Sequence, residues 1–147
     1  MNFRLTARLV AKTGLGFSLF IGPNALAATA NHSFEGAAYR VVFSNTSNNI
    51  YLLQNNIAIV ETEKKNFIPL RWSQTANKLC LHDGLKISEC WTPPIAEVGL
   101  TTLTSSCNAV SRWRRMDASR AARNIASLES RDWRVPNVEL ASIGANR

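Results

Sequence analysis

From about Phe34 to Trp113, apolar residues come in short runs, with a polar cluster roughly every ten residues. Ala37–Ser44 (AAYRVVFS) is rich in β-branched and aromatic residues, with Tyr39, Val41 and Phe43 on one face of a strand. Val42 lies on the other face, so this strand reads as covered on both sides. The polar run Asn45–Asn49 reads as a turn and Ile50–Leu53 as a strand. Gln54–Asn56 turns the chain again, and Ile57–Thr62 alternates apolar with small or polar residues. After a charged turn at Glu63–Asn66, Phe67–Trp72 carries Pro69, whose missing N–H predicts an edge strand or a bulge. Ser73–Asn77 is the next turn. Lys78–His82 and Lys86–Trp91 form a hairpin, and Pro93-Pro94 breaks the chain. Ala96–Thr104 and Cys107–Trp113 are the last strand candidates. No stretch of this region holds a helical period. The pattern predicts a mainly β fold, a small antiparallel barrel or sandwich.

The pattern changes after Ser111. Lysine disappears and arginine takes over. Asp117 or Ser119 can cap a helix running to about Asp132, before Pro136. On a helical projection Arg120, Arg123, Arg131 and Arg134 share one side, and Ala118, Ala121, Ile125 and Leu128 the other. The helical face reads either as a contact for an anionic surface or as a solvated face docked on the barrel through Ile125 and Leu128. Val138–Arg147 carries no structural signal.

The first 27 residues follow neither pattern. Arg4, Arg8 and Lys12 precede a short apolar run, Gly14–Gly22, then Pro23 and the small-x-small triplet Ala25-Leu26-Ala27. This is the anatomy of a secretory signal peptide, and the run is about half the ~20 residues a membrane-spanning helix needs. The expected organisation is a signal peptide over 1–27, a β-domain over 31–113 and an Arg-rich helical or partly disordered extension over 114–147. The mature protein is expected to be exported, periplasmic or secreted, with no transmembrane segment.

Charge sharpens this division. The formal net charge is +7, of which +3 lies in residues 1–27. Residues 28–110 carry six basic and six acidic side chains, and residues 111–147 carry the remaining +4. The β-domain is therefore neutral, and contact with an anionic surface is expected through Arg120, Arg123, Arg131 and Arg134. Export, and the lack of a basic patch with interleaved aromatics, argue against nucleic acid.

Export also decides how Cys80, Cys90 and Cys107 read, since an oxidising compartment favours a disulfide. Cys80 and Cys90 share a midpoint at Leu85, so a three- or five-residue loop sets them opposite each other. A two-residue Asp83-Gly84 turn does not, and Cys90–Cys107 remains an alternative. Cys80, His82, Cys90 and Cys107 have none of the paired spacing of a zinc site, so neither metal nor cofactor is expected. His82, Asp83 and Ser88 contain ingredients of a triad, but adjacent residues on a hairpin cannot orient one another as base and orienter. Glu61 and Glu63 share a strand face and read as a solvated edge. With no nucleophile elbow or phosphate loop, catalysis is not expected. Trp91 and Trp113, near turns, are candidate ligand-binding residues, set against the commoner role of tryptophan as a core anchor.

Trp72, the strand Leu79-Cys80-Leu81 and the strand Glu89-Cys90-Trp91 together resemble small exported β-domains of Gram-negative bacteria. Those include periplasmic lipocalin-like domains and inhibitor-type β-barrels. The resemblance spans residues 34–92 and implies a barrel or sandwich that acts by binding, with an envelope protein as partner. Cys80-Leu81-His82-Asp83 with Cys107-x5-Trp113 also resembles the repeat of ricin-type β-trefoil lectins, in one copy where a trefoil has three. That resemblance implies a carbohydrate-binding module with a glycan partner. The expected function is envelope binding or inhibition, with lectin-like binding through surface tryptophans as the alternative.

Overall fold

The computed structural model describes residues 32–84 and 88–135. The signal peptide expected over 1–27 and the tail over 138–147 lie outside the described residues. Eight strands run in order: β1 Ala38–Phe43, β2 Thr46–Leu52, β3 Ile57–Glu61, β4 Phe67–Thr75, β5 Lys78–His82, β6 Ser88–Trp91, β7 Thr101–Thr104 and β8 Val110–Arg115. One helix follows, α1, Ala118–Glu129. The strands form a single antiparallel sheet in the order β6-β5-β4-β3-β2-β1-β8-β7. Its two ends approach each other where Ser106 N–H donates to Cys90 O at 2.9 Å and Cys90 N–H to Ser106 Oγ at 3.0 Å. The result is a nearly closed barrel with a C-terminal helix, as the hydrophobic pattern predicts.

The period-2 alternation of the strands sorts two cores. Inside the barrel, Tyr39, Val41, Ile50, Leu52, Ala58, Trp72, Leu79, Leu81 and Trp113 pack with Phe34. Outside it, Ala38, Tyr51, Leu53 and Ile59 are covered by Ala121, Ile125 and Leu128 of α1. On β1 this core takes Ala38 alone; Val42, the outward residue expected to be covered, lines a groove with Arg40, Arg112 and Arg114 instead. The outer core also redraws the expected boundary after Trp113, because Arg114 and Arg115 belong to β8 and α1 shares a core with the sheet. Asp117 caps α1 by accepting from Arg120 N–H at 2.9 Å. Ala118 of the expected apolar stripe is exposed, while its other three members are buried.

Three expectations are corrected. The helix ends at Glu129 and not near Asp132, because Trp133 turns back and its Nε1–H donates to Leu128 O at 2.8 Å, capping the terminus. Arg131 and Arg134 therefore lie beyond the helix and do not share its arginine face. Secondly, the run Asn45–Asn49 is not a turn. Phe43 pairs with Thr46 across a two-residue Ser44-Asn45 connection, with positive φ at Ser44, and Asn48 and Asn49 belong to β2. Thirdly, β4 is an interior strand despite Pro69. Pairing of β4 with β5 begins at Arg71, so at Pro69 β4 has β3 alone beside it, the local edge at which a missing N–H is tolerated.

The hairpin of β5 and β6 has the symmetric register: Cys80 lies opposite Cys90 and His82 opposite Ser88, across a five-residue connection. Cys80 and Cys90 form a disulfide, and Cys107 is a free, exposed thiol.

Candidate functional site at the barrel mouth

One end of the barrel is plugged. Phe34, Tyr39, Leu52 and Leu79 are fully buried there. The polar atoms among these side chains and their neighbours have partners. Gln74 Oε1 accepts from Phe34 N–H at 3.0 Å, Tyr39 donates to Pro94 O at 3.1 Å, and Trp72 Nε1–H donates to Leu53 O at 3.0 Å. Burial pushes the Tyr39 phenol above its ordinary pKa, partly offset by the Arg115 guanidinium beside it.

The other end is open. Inward-facing side chains of β1 (Val41, Phe43), β2 (Asn48, Ile50), β3 (Val60), β6 (Glu89, Trp91) and β8 (Ser111, Trp113) line a cavity of about 280 Å³. Trp113 is its floor, stacked edge-on against Tyr39 at 5.5 Å and tilted against Trp91 at 5.2 Å. Phe43 at the end of β1 and Ile68 near the start of β4 stand 50% and 46% exposed.

Two polar atoms in this lining are buried without any hydrogen-bond partner: the Trp91 indole N–H and Asn48 Oδ1. The contrast with the other tryptophans is direct. Trp72, Trp113 and Trp133 donate to Leu53 O, Ser111 Oγ and Leu128 O at 3.0, 2.8 and 2.8 Å. Leaving a buried donor or acceptor unpaired costs about 1–3 kcal/mol each. A guest that pairs both atoms has to bring an acceptor and a donor on an apolar body.

The two tryptophans singled out in the sequence meet in this site, in different roles. Trp113 is not a surface tryptophan: it is 0% exposed and its N–H is satisfied by Ser111. Trp91 is half-buried and lines the cavity, and its buried N–H has no partner. Asn48 was hidden from sequence reasoning because it sits in a run of polar residues that looks like a turn. Its one signal is hairpin symmetry: a tight Ser44-Asn45 turn sets Asn48 against Val41, on the inward face.

The remaining candidates lie elsewhere. His82 is 1% exposed, and its ring nitrogens are taken by two hydroxyls, Ser73 Oγ at Nε2 (2.8 Å) and Ser88 Oγ at Nδ1 (2.6 Å). Burial lowers its pKa below the ordinary 6.5, opposed by the charge of Asp83. The Cys80–Cys90 disulfide removes two of the four residues that a metal site needs. Under α1, Glu61 is not a bare edge carboxylate. It accepts from Tyr51 OH (2.8 Å), Asn49 Nδ2 (2.9 Å) and Lys65 Nζ (2.8 Å). Burial acts against its ionised form, but these donors hold its pKa below the carboxylate norm. Tyr51, desolvated and bonded to Glu61, is pushed up to about 12. Glu63 lies off the strand and accepts from Ser47 N–H. The expected anionic-surface residues Arg120, Arg123, Arg131 and Arg134 are all exposed, and Arg131 lies over the rings of Phe67 (5.0 Å) and Trp133 (5.9 Å).

Comparison with known proteins gives no match: no family model, no curated protein and no solved structure resembles this chain closely enough to be counted.

Proposed function

We propose that this protein is an exported, non-catalytic binding protein of the cell envelope that holds a small amphiphile in the mouth of its barrel. The observation that carries this reading is that two residues lining one mostly apolar cup, Trp91 and Asn48, each hold a buried polar atom without a hydrogen-bond partner, the indole N–H and the amide Oδ1. The disulfide fits an oxidising compartment, and no helix among the described residues is long and apolar enough to cross a membrane. A cup of 280 Å³ has room for the volume of about nine waters, so it suits a guest of that many heavy atoms. Glu89 in the lining disfavours a carboxylate head and favours one that donates. A primary amide on a short alkyl chain meets all these demands. Its oxygen accepts from Trp91, its N–H donates to Asn48, and its chain lies against Val41, Ile50 and Val60.

Calorimetric titration with hexanamide and with hexanoate tests this. Hexanamide is expected to bind and hexanoate to bind far more weakly. Trp91→Phe, which keeps an aromatic ring and loses the N–H, is expected to weaken hexanamide about tenfold. Equal affinity of the wild type and Trp91→Phe, or no binding by either, would overturn the reading.

A further inference from the structure

The outer wall of the barrel carries a second feature, independent of the cup. Arg40 of β1 lies directly opposite Arg114 of β8, and Arg112, opposite Val42, is two residues further along the same outward face. Like charges placed directly across a strand pair destabilise it. Arg40, Arg112 and Arg114 are all exposed, and none of them forms an ion pair with a described residue. The three line one groove of about 480 Å³, with Val42, Ser47 and Leu100.

The acids nearby are turned to other tasks. Glu63, in the same groove, accepts from Ser47 N–H at 2.6 Å. Glu97, in the adjoining groove between the sheet and α1, accepts from Ala118 N–H at the start of the helix. Arg40 uses one donor, Nε–H to Ser47 Oγ at 2.9 Å, which fixes its guanidinium over the groove. Three guanidinium groups against the single carboxylate of Glu63 leave the groove net positive, which suits a tetrahedral oxyanion, since guanidinium binds phosphate with paired N–H donors. The walls add a second demand. Val98 and Leu100 stand 49% and 47% exposed along these two grooves. A free inorganic ion leaves those side chains in water, whereas an amphiphile covers them.

We infer that the Arg40–Arg112–Arg114 groove is a docking site for the phosphate head of an anionic lipid, with Val98 and Leu100 against the membrane interface. The anionic-surface contact thus belongs to the barrel wall and not to the arginines of α1. Exposed basic side chains at a lipid surface each contribute roughly fivefold in binding, and the effect falls within a Debye length.

Co-sedimentation of the full chain with vesicles of phosphatidylcholine containing phosphatidic acid tests it, with pure phosphatidylcholine vesicles as control. Binding is expected to the mixed vesicles alone and to be lost at high salt. The triple variant Arg40→Gln/Arg112→Gln/Arg114→Gln is expected to bind about a hundredfold more weakly, while Arg120→Gln/Arg123→Gln binds within a few-fold of wild type. Thermal unfolding of the triple variant should be unchanged or raised, because it removes repulsion across β1 and β8. Equal vesicle binding by the triple variant and the wild type would overturn the inference. So would a larger loss in the α1 double variant, or inorganic phosphate binding with no vesicle binding. None of these outcomes depends on hexanamide, so this site and the cup stand or fall separately.

Discussion

The two ends of the barrel are built from the same strands and differ in how their polar atoms are treated. At the plugged end Phe34, Tyr39 and Leu79 are sealed, and the polar atoms of Gln74, Tyr39 and Trp72 named above are bonded. At the mouth, Phe43 stands in water, and Trp91 and Asn48 hold a donor and an acceptor with nothing to meet them. A fold optimised for stability alone fills such a cavity or pairs such atoms. The difference separates the part that holds the barrel together from the part proposed to take a guest.

Mutation can break or confirm this contrast. The largest effect is expected at the floor. Trp113→Ala should cost about 3–5 kcal/mol in urea unfolding, while Phe43→Ala at the rim stays under about 0.5 kcal/mol. Similar losses at both would remove the distinction between the ends. Next comes the second core: Ile125→Ala or Leu128→Ala should each cost about 2–5 kcal/mol by the same measurement. A negligible loss would mean that α1 is an appendage to the sheet. Removing the disulfide with Cys80→Ala/Cys90→Ala should cost about 2–3 kcal/mol, read as a drop in the urea midpoint.

A finer test compares two tryptophans. Trp72→Phe orphans Leu53 O and should cost about 1–2 kcal/mol, whereas Trp91→Phe deletes a donor with no partner and should be neutral or slightly stabilising. The smallest effect is in pH. The folded pKa of His82 lies below the ordinary 6.5, so the unfolded chain takes up its proton first. Stability should be full above about pH 6.5 and decline as pH falls toward the folded value. In His82→Gln, denaturant midpoints measured across this window should lose that part of the slope.

Much of this architecture is legible in the chain. The spacing of strands and turns predicts the barrel. The midpoint at Leu85 places Cys80 opposite Cys90, and Asp117 with Ile125 and Leu128 marks the helix and its buried face. Elements set by long-range context are not legible. Pro69 lies in an interior strand because β5 stops pairing at Arg71, two residues away, a length that no local propensity reports. The helix ends early because Trp133 folds back onto Leu128 O. Asn48 hides because four polar neighbours in a row satisfy a turn rule and a hairpin register equally well. The register decides, and with it whether an amide faces solvent or the cup. The opposition of Arg40 to Arg114 is likewise invisible until β1 and β8, seventy residues apart in sequence, are paired.

The most direct test of the cup is the side-chain indole region of a ¹H–¹⁵N correlation spectrum during titration with hexanamide. Trp72, Trp113 and Trp133 already donate to fixed acceptors, and Trp91 does not. The Trp91 indole resonance is expected to move downfield as it gains an acceptor, with those of Trp72 and Trp133 unchanged. A stationary Trp91 resonance at saturating hexanamide, or equal shifts in all four, would contradict the account.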